Sequence, residues 1–334
     1  MIINQDSAHS SAKSPAKIAK KNSDCNSSKG LKHSTQATKL LEQTIAKIEG
    51  AYAPSTTRAY RADFMHFINF CGDQNTNALA ARPSSIAQYI CKLAESGRSS
   101  ASIRRALCGL SAIHKLNRLD DPTKDPDVTL EMRRMHRKLG RSSSQATSIN
   151  ADTLEKMLSA TDNSIRGIRD RALLLVAYDT LCRRSELVSL QVKDVKNHIK
   201  NGIGSSAILL RKSKTDQDSA GKWLHLTQRA HWALAQWIKH LPEGQQILFC
   251  GLNRSLDFSS KIGAGQINRI YKGVARKAGL DESIINGISG HSLRVGAAQD
   301  LLNSGATMPI IMQRGRWSKS DTVMRYLEHS NQII

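Results

Sequence analysis

The stretch from Gly140 to Ser148, GRSSSQATS, contains no large apolar residue, although helix-patterned sequence lies on both sides of it. A run of small polar residues cannot contribute to a core and is typical of an interdomain linker. The chain has 334 residues, which is enough for two domains that each bury a core. The sequence therefore predicts a first domain over residues 37–139, a linker over 140–148 and a second domain over 149–334.

The first domain is predicted to be entirely helical. In TTRAYRADFMHFINFCG, the residues Tyr60, Phe64 and Phe67 recur at helical spacing, and Gly72 follows them as a stop signal. PSSIAQYICKLAESG begins with a proline and ends with a glycine, as helices often do. SSASIRRALCGLSAIHKLNRL and DVTLEMRRMHRKLG show the same amphipathic pattern. We expect a compact helical domain with basic residues near its helix starts.

The second domain combines helices with a short region of β-structure. The apolar run ALLLVAY is bracketed by charged residues, which indicates a buried helix. The apolar segments Ala207–Leu210 and Trp223–Leu226 flank a polar turn that contains glycine, a pattern typical of a β-hairpin. Helical spacing resumes at QRAHWALAQWIKHL and continues to the end. The predicted fold class is mainly α with a small β-hairpin or sheet.

The charge of the chain indicates the class of its partner. The formal net charge is +21 and the isoelectric point is near 10.0. Such an excess implies a polyanion, because phosphates that are neutralised release their counterions. No basic amphipathic helix with an aromatic-rich opposite face favours a membrane surface instead. Nucleic acid is therefore the expected partner, and residues 1–36, rich in Ser, Lys and Asn, are predicted to be a disordered basic tail.

Other features exclude several classes of protein. No run reaches the roughly 18 apolar residues of a membrane span, and no apolar stretch follows the first lysines as it does in a signal peptide. The six cysteines include no C-x-x-C pair, and the histidines lack metal-ligand spacing. These spacings argue against a zinc site and against a disulfide framework. We expect a cytoplasmic protein that associates with DNA.

Several short motifs could carry chemistry, but each has a simpler explanation when it is taken alone. An arginine with a glutamate three positions later could be a structural ion pair, and lysines in a turn are usually solvated. H-x-x-R at a helix start occurs often by chance, and a tryptophan or tyrosine at helical spacing is usually a core residue. The residues concerned are Arg183, Glu186, Lys212, Lys214, His291, Arg294, Trp317 and Tyr326.

Taken together and in this order, the same residues resemble the catalytic set of the tyrosine recombinases, also called the phage integrase family. The resemblance extends through YDTLCRRSELVSLQVKDV, SGHSLRVGAAQDLL and GRWSKSDTVMRYL, and through the helical SSASIRRALCGLSAIHKLNRL. It covers about residues 50 to 330. An ordered set of motifs is far more specific than any one member of it. The family implies a two-domain DNA clamp, with a helical core-binding domain and a catalytic domain.

The resemblance also implies the reaction and its main residues. A member of the family is expected to cut and rejoin DNA through a 3′-phosphotyrosine intermediate and a Holliday junction, with neither metal nor ATP and with no small-molecule cofactor. Tyr326 would be the nucleophile. Arg183 and Arg294 would clamp the phosphate oxygens, since a guanidinium matches them in a bidentate way. Lys214, in a K-T context that favours it over Lys212, would protonate the departing 5′-oxygen.

Three further residues receive roles from the same resemblance. His291 would hydrogen-bond the phosphate or help to deprotonate Tyr326. Trp317 occupies a position that is histidine in many members, and its indole N–H can donate to a phosphate but cannot shuttle a proton. Glu186 would orient the site rather than transfer protons.

DNA contacts are expected from both domains, on a double-stranded recombination site. The candidates are basic residues near helix starts and a helix that mixes polar and basic side chains, which could read base edges: Arg58, Arg61, Arg104, Arg105, Gln266, Asn268, Arg269 and Lys272. We also expect a homo-tetramer on synapsed DNA. Only LEHSNQII follows Tyr326, however, which is too short for the additional helix that family members use in assembly.

Two alternatives remain open at this point. A type IB topoisomerase shares the Tyr, Arg, Lys and His chemistry, although the recombinase-like helical domain disfavours it. A non-catalytic DNA-binding regulator would fit the net charge and the helix–turn–helix-like spacing in AAQDLLNSGATMPIIMQRGRW. The complete catalytic set argues against the regulator.

Overall fold

The computed structural model describes residues 34–141, 145–200, 203–213, 221–259 and 261–327. It divides into two units, Met1–Ser143 and Ser144–Ile334, and each is described here by itself. Most of the predicted tail, residues 1–33, lies outside the described residues. Its last part, residues 34–36, is already helical, so the predicted boundary at residue 36 is wrong by a few positions. Ala37 and Leu41 pack into the core of the first unit, which explains why the helix includes this segment.

The described residues of the first unit form five helices and a short 3₁₀ turn, Pro122–Lys124. Proline stands in the first turn of three helices, and the Ser99 and Asp125 side chains cap two helix starts by accepting backbone N–H groups. The apolar stripes face one core, as the spacing predicted. The helices are α1 (residues 34–47), α2 (Pro54–Asp73), α3 (Pro83–Glu95), α4 (Ser100–Leu116) and α5 (Pro126–Leu139).

The second unit is also mainly helical. Its described helices are α6 (Ala151–Ser159), α7 (Ile165–Thr180), α8 (Arg184–Leu187), α9 (Gln228–Lys239), α10 (Ala264–Lys277), α11 (Glu282–Gly287), α12 (Ser292–Asn303), α13 (Met308–Gly315) and α14 (Ser320–Leu327). Helix α7, which contains ALLLVAY, is buried along most of its length. Among the described helices, none combines the length and apolar character that crossing a membrane would require.

A three-stranded antiparallel sheet accompanies these helices, with strands β1 (Val195–Lys200), β2 (Ile203–Leu210) and β3 (Lys222–Leu226) in that order. The predicted hairpin corresponds to β2 and β3, in which Ile208 pairs with Leu224. Strand β1 was not predicted, and it pairs with β2 through the opposition of Val195 and Ile208. The fold class, mainly α with a small sheet, is confirmed.

The end of the predicted linker belongs to the second unit. Thr147 N–H donates to the Gly287 carbonyl at 3.0 Å, and Ile149 N–H donates to the Ser292 carbonyl at 3.1 Å. These bonds satisfy backbone groups that a free linker would leave to water. Residues 147–149 therefore form an ordered edge of the second unit, beside the start of α12.

Candidate active site

The turn between α7 and α8 presents Arg183. Helix α7 ends at Leu181, which adopts a left-handed conformation with φ of 49°, and Arg183 is the N-cap of the short helix α8. Glu186, in the first turn of α8, accepts the Arg183 backbone N–H at 2.9 Å and Arg183 Nη1 at 2.7 Å. The predicted ion pair is present, and it holds the Arg183 side chain while 17% of that side chain stays exposed.

Arg294 lies on α12 and is almost completely buried, with 1% of its surface exposed. Its Nη1 donates to the Leu181 carbonyl, and its Nη2 donates to the Gly315 carbonyl at 2.5 Å. The guanidinium carbon lies 4.1 Å from the centroid of the Trp317 ring, which is cation–π distance. Arg294 is therefore a buried cation held by two backbone carbonyls and an aromatic ring.

Trp317 links Arg294 to Tyr326. The two aromatic rings are tilted by 42°, and their centroids are 5.5 Å apart. Tyr326 lies on α14 and is half-buried, because its neighbours Val323 and Leu327 anchor the helix in a small apolar cluster. The side chains of Arg294, Trp317 and Tyr326 therefore form a packed series, in which Trp317 contacts the other two.

Two glutamines hold the backbone at Tyr326. The Tyr326 carbonyl, in the last turn of α14, accepts Nε2 of Gln299 at 2.9 Å and Nε2 of Gln145 at 3.3 Å. These bonds tie the backbone at Tyr326 to α12 and to the segment that precedes α6. Sequence reasoning missed both glutamines, since Gln145 lies in the polar linker stretch and Gln299, although inside SGHSLRVGAAQDLL, carries no role in the resemblance.

Arg316 is the other residue that sequence reasoning missed. It is the C-cap of α13 with φ of 57°, and its side chain is 6% exposed. Nη2 donates to Glu186 Oε2 at 2.9 Å, and Nη1 donates to the Thr180 carbonyl at 2.9 Å. No periodic pattern marks a C-cap position, so the sequence offered no signal for it beyond its place beside Trp317.

These arginines make the site strongly positive. Burial lowers the pKa of Arg294, the charges of Arg183 and Arg316 act in the same direction, and the pKa falls from 12.5 to about 10. Burial raises the pKa of Glu186, but the Arg316 charge and the Arg183 hydrogen bonds outweigh it, and the net shift is downward. Arg294 therefore stays protonated and Glu186 stays ionised at pH 7. The three arginines outnumber the one carboxylate, so the pocket carries a net positive charge and favours an anion.

His291 is the N-cap of α12, three residues before Arg294, and is half-buried. Burial lowers the pKa of its imidazole, and the positive charges of Arg294, Arg184 and Arg183 lower it further. The ring is therefore mainly neutral at pH 7, with a nitrogen that can accept a proton. A neutral imidazole beside arginines is suited to general-base chemistry.

Comparison with known proteins identifies the family to which this site belongs. The model of the Phage integrase family matches residues 147–332, more than half of the chain, and the Phage integrase N-terminal SAM-like domain matches residues 45–119. The chain belongs to the phage integrase family. The resemblance drawn from the motifs is confirmed, and the protein is a tyrosine-type site-specific recombinase.

Individual relatives and solved structures agree with this assignment. The chain is 27% identical over 276 residues to "Recombinase cre" of Escherichia phage P1, across 78% of this chain and 80% of that protein. It is also 27% identical over 301 residues to an integrase/recombinase XerD homolog of Selenomonas ruminantium, covering 85% and 84%. The fold is similar to that of the XerH site-specific recombinase bound to palindromic difH substrate, with a TM-score of 0.61, 17% identity and coverage of 89% and 82%. A lambda integrase dimer bound to a COC′ core site gives a TM-score of 0.57 at 14% identity, covering 88% and 77%.

The two lysine candidates for the general acid follow β2 in the sequence. Lys214, the predicted general acid, lies outside the described residues. Lys212, the alternative, is exposed just after β2. A cavity of about 300 Å³ opens between the ends of β2 and β3 and the Trp317 side chain, and Lys222 lines it while donating to the Gln313 carbonyl at 3.3 Å.

The candidate DNA contacts of the first unit differ in whether their side chains already pair with other residues of the protein. Arg105 makes a bidentate ion pair with Asp63 at 2.8 and 2.9 Å, and Arg61 pairs with Glu42 at 2.8 Å. Among the described residues, Arg58 donates to a backbone carbonyl of its own helix, at 3.3 Å, and to no other group. Arg104 is exposed, and no hydrogen bond or ion pair with another described residue engages it. Arg58 and Arg104 are thus the more available cations.

On α10 the four candidates also separate. The Gln266 side chain accepts the Gly263 N–H at 2.7 Å as a helix cap, and Lys272 Nζ donates to the Asn286 carbonyl at 3.0 Å. Asn268 Oδ1 is buried and has no hydrogen-bond partner among the described residues. Arg269 is exposed and makes no side-chain contact of this kind in the described part of the chain. Arg269 therefore has the most available side chain of the four.

Proposed function

We propose that the protein cuts and rejoins double-stranded DNA at a specific site through a 3′-phosphotyrosine intermediate and a Holliday junction, with Tyr326 as the nucleophile. The observation that carries this proposal is the packed series of Arg294, Trp317 and Tyr326. In this series the Trp317 ring contacts both the charged Arg294 guanidinium and the Tyr326 phenol, in a positive pocket. A scissile phosphate that neutralises this pocket would lie within reach of the phenol oxygen.

Arg183 and Arg294 are the proposed phosphate clamp. A guanidinium has five N–H donors, and Arg294 uses two of its nitrogens on protein carbonyls, so donors remain for a ligand. Arg183 uses Nη1 on Glu186 and keeps part of its side chain exposed. Each arginine is thereby held in place by the protein and still has N–H groups to offer. Pre-organised donors of this kind stabilise the charge that develops in phosphoryl transfer.

The proposed first step is a transesterification. The Tyr326 phenol oxygen attacks the phosphorus, the bond from phosphorus to the 5′-oxygen breaks, and a 3′-phosphotyrosine and a free 5′-hydroxyl result. His291 would take the phenol proton, which suits its lowered pKa, and Lys214 would protonate the 5′-oxygen. Trp317 would donate its indole N–H to the phosphate. Attack by the 5′-hydroxyl of another strand would reverse the step without metal or ATP.

The assembly that carries out strand exchange is proposed to be a homo-tetramer on two synapsed DNA sites, with the two domains of each protomer closed on DNA as a clamp. The solved relatives support the DNA partner, because they include the XerH recombinase and lambda integrase bound to their substrates. The net charge of +21 supports it independently. Arg58, Arg104 and Arg269 are the contacts we expect to contribute most.

Covalent capture tests the chemistry and identifies the target site in the same experiment. The protein is incubated with a library of random DNA duplexes, each carrying a nick next to the randomised region. Cleavage near the nick releases a short 5′-hydroxyl fragment, so the covalent adduct cannot religate. Adducts are isolated under denaturing conditions, and their DNA is sequenced to identify the site.

Tyr326→Phe is the matched control, because phenylalanine keeps the ring against Trp317 and lacks only the hydroxyl group. We expect the wild-type protein to form adducts on a defined sequence and the variant to bind the same DNA without forming any. An adduct in both proteins would assign the nucleophile to another residue. Relaxation of supercoiled plasmids that lack the selected site would favour a topoisomerase instead.

A further inference from the structure

Arg316 occupies a backbone conformation that its residue type rarely adopts. Its φ of 57° is in the left-handed region, where a side chain with a Cβ atom is strained. Glycine would fit this C-cap position without strain. A charged residue in a strained and buried position is maintained by the contacts of its side chain, so those contacts indicate its role.

The Arg316 guanidinium connects three segments of the second unit. It donates to the Thr180 carbonyl at 2.9 Å and to the Leu181 carbonyl at 3.3 Å, at the end of α7, and to Glu186 Oε2 at 2.9 Å, in α8. Its own backbone immediately precedes Trp317. One side chain therefore ties the loop that carries Trp317 to the turn that carries Arg183.

Both arginines of the proposed clamp share an acceptor with Arg316. The Glu186 carboxylate accepts Arg183 Nη1 through Oε1 and Arg316 Nη2 through Oε2. The Leu181 carbonyl accepts Nη1 of Arg294 and Nη2 of Arg316. If the Arg316 side chain were absent, Glu186 could turn toward Arg183 alone and the Leu181 carbonyl could move with Arg294.

The network that joins Arg316, Glu186 and Arg183 is largely buried, which strengthens the interactions between its charges. The Arg316 and Glu186 side chains are 6% and 4% exposed, so their interaction is poorly screened by water. By contrast, the Arg229–Glu155 pair in the same unit has side chains that are 56% and 52% exposed. An exposed pair of that kind contributes little, whereas a buried one constrains both partners.

We propose that Arg316 is a positioning residue of the recombinase site, which sets Arg183 through Glu186 and Arg294 through the Leu181 carbonyl before DNA binds. The inference rests on the proposed function, because Arg183 and Arg294 are its phosphate ligands. Arg316 need not touch the phosphate itself. Its removal is expected to slow cleavage while leaving DNA affinity nearly intact.

The test compares Arg316→Gly and Arg316→Lys with the wild type on the nicked duplex obtained by covalent capture. Glycine removes the guanidinium and suits the left-handed backbone, and lysine keeps the charge but loses the planar fork. We expect the cleavage rate at saturating DNA to fall about 100-fold in Arg316→Gly, as a small misplacement of clamp groups can cause. The dissociation constant for the same DNA should change by less than about threefold.

A double-variant experiment separates positioning from general structural damage. If Arg316 acts through Glu186, Arg316→Gly in a Glu186→Gln background should slow cleavage much less than it does alone. Multiplicative losses in the double variant would overturn the proposal. Arg229→Gln, which also removes one arginine from an arginine–glutamate pair, is the control and should cleave at the wild-type rate.

A readout independent of catalysis keeps the two proposals distinguishable. In protein labelled with ¹⁵N-arginine, the Nη protons of Arg183 and Arg294 should be resolved because their rotation is restricted, and they should broaden in Arg316→Gly and Arg316→Lys. If the wild type forms no adduct but these signals behave as expected, the proposed function fails and the network stands. If the wild type forms adducts and Arg316→Gly cleaves within about threefold of it, the positioning role of Arg316 is refuted.

Discussion

Gly315 is the position at which the smallest substitution disturbs the packed series of Arg294, Trp317 and Tyr326. A Cβ atom added there would lie 1.8 Å from Cζ3, 2.1 Å from Cε3 and 2.4 Å from Cη2 of the Trp317 ring. Ordinary contact begins near 3.4 Å, so in Gly315→Ala the ring must retreat by about 1.6 Å to relieve the overlap. That movement is large beside the 4.1 Å between the ring centroid and the Arg294 guanidinium carbon.

The displacement has two expected consequences. Overpacking of this kind lowers the free energy of unfolding by about 1–3 kcal/mol. A displacement above 1 Å in the group that lies between Arg294 and Tyr326 should slow adduct formation about 100-fold. DNA affinity should change little, since the basic surface keeps all its charges.

Gly273→Ala is the matched control for this substitution. Gly273 is helical, in α10, and a Cβ atom there would meet no atom of the described residues within 4 Å. Its replacement should raise the free energy of unfolding by up to about 1 kcal/mol, because alanine is the better helix former. Urea unfolding followed by tryptophan fluorescence measures both variants, since all four tryptophans lie in the second unit. A Gly315→Ala protein that forms adducts at the wild-type rate would refute the idea that cleavage requires the packed series.

Three further predictions concern charged groups. Glu186→Gln should lower the free energy of unfolding by about 3 kcal/mol at pH 7, because it breaks the buried ion pairs of Glu186 with Arg316 and Arg183. Since the folded pKa of Glu186 is lowered, its contribution is present above pH 4.5, and the difference from wild type in urea titrations should shrink as the pH falls below that value. The pKa of the His291 imidazole should lie below 6.5 in a ¹⁵N NMR pH series, and adduct formation should decrease only as the pH falls through this lowered pKa. A measured pKa above 6.5 would contradict the burial of His291 beside arginines. Arg105→Ala should leave the Asp63 carboxylate, 9% exposed, without its partner and cost about 1–3 kcal/mol, measured as faster amide hydrogen exchange in the first unit of the full chain.

The sequence predicted those parts of the fold whose signals are local. Helices such as α3 and α4 carry apolar stripes and their own start and stop residues, so few tertiary contacts are needed to specify them. Strand β1 was missed because VKNHIK is mostly polar and shows no strong alternation. It becomes a strand through its ladder with β2, and such pairing depends on the register of a neighbour rather than on its own residues.

The candidate site was predicted in part for a different reason. The order of the motifs that contain Arg183, Arg294, Trp317 and Tyr326 resembles that of a known family. The structure brings the last three of these residues into one packed series. Arg316 was missed because its importance comes from tertiary contacts to Thr180, Leu181 and Glu186, residues that lie more than 120 positions earlier in the chain. No spacing rule within a helix or strand records contacts of that range.

The packing of α14 explains how the nucleophile can be both well placed and adjustable. Val323 and Leu327 anchor this helix in a small apolar cluster with Ile311 and Trp317, which is separate from the main core of the second unit. A short helix with few buried contacts opens at a lower free energy than the core does. The hydrogen bonds to the Tyr326 carbonyl are then a substantial part of what holds the phenol against Trp317. The two arginines are held from other points, Arg183 by Glu186 and Arg294 by the carbonyls of Leu181 and Gly315.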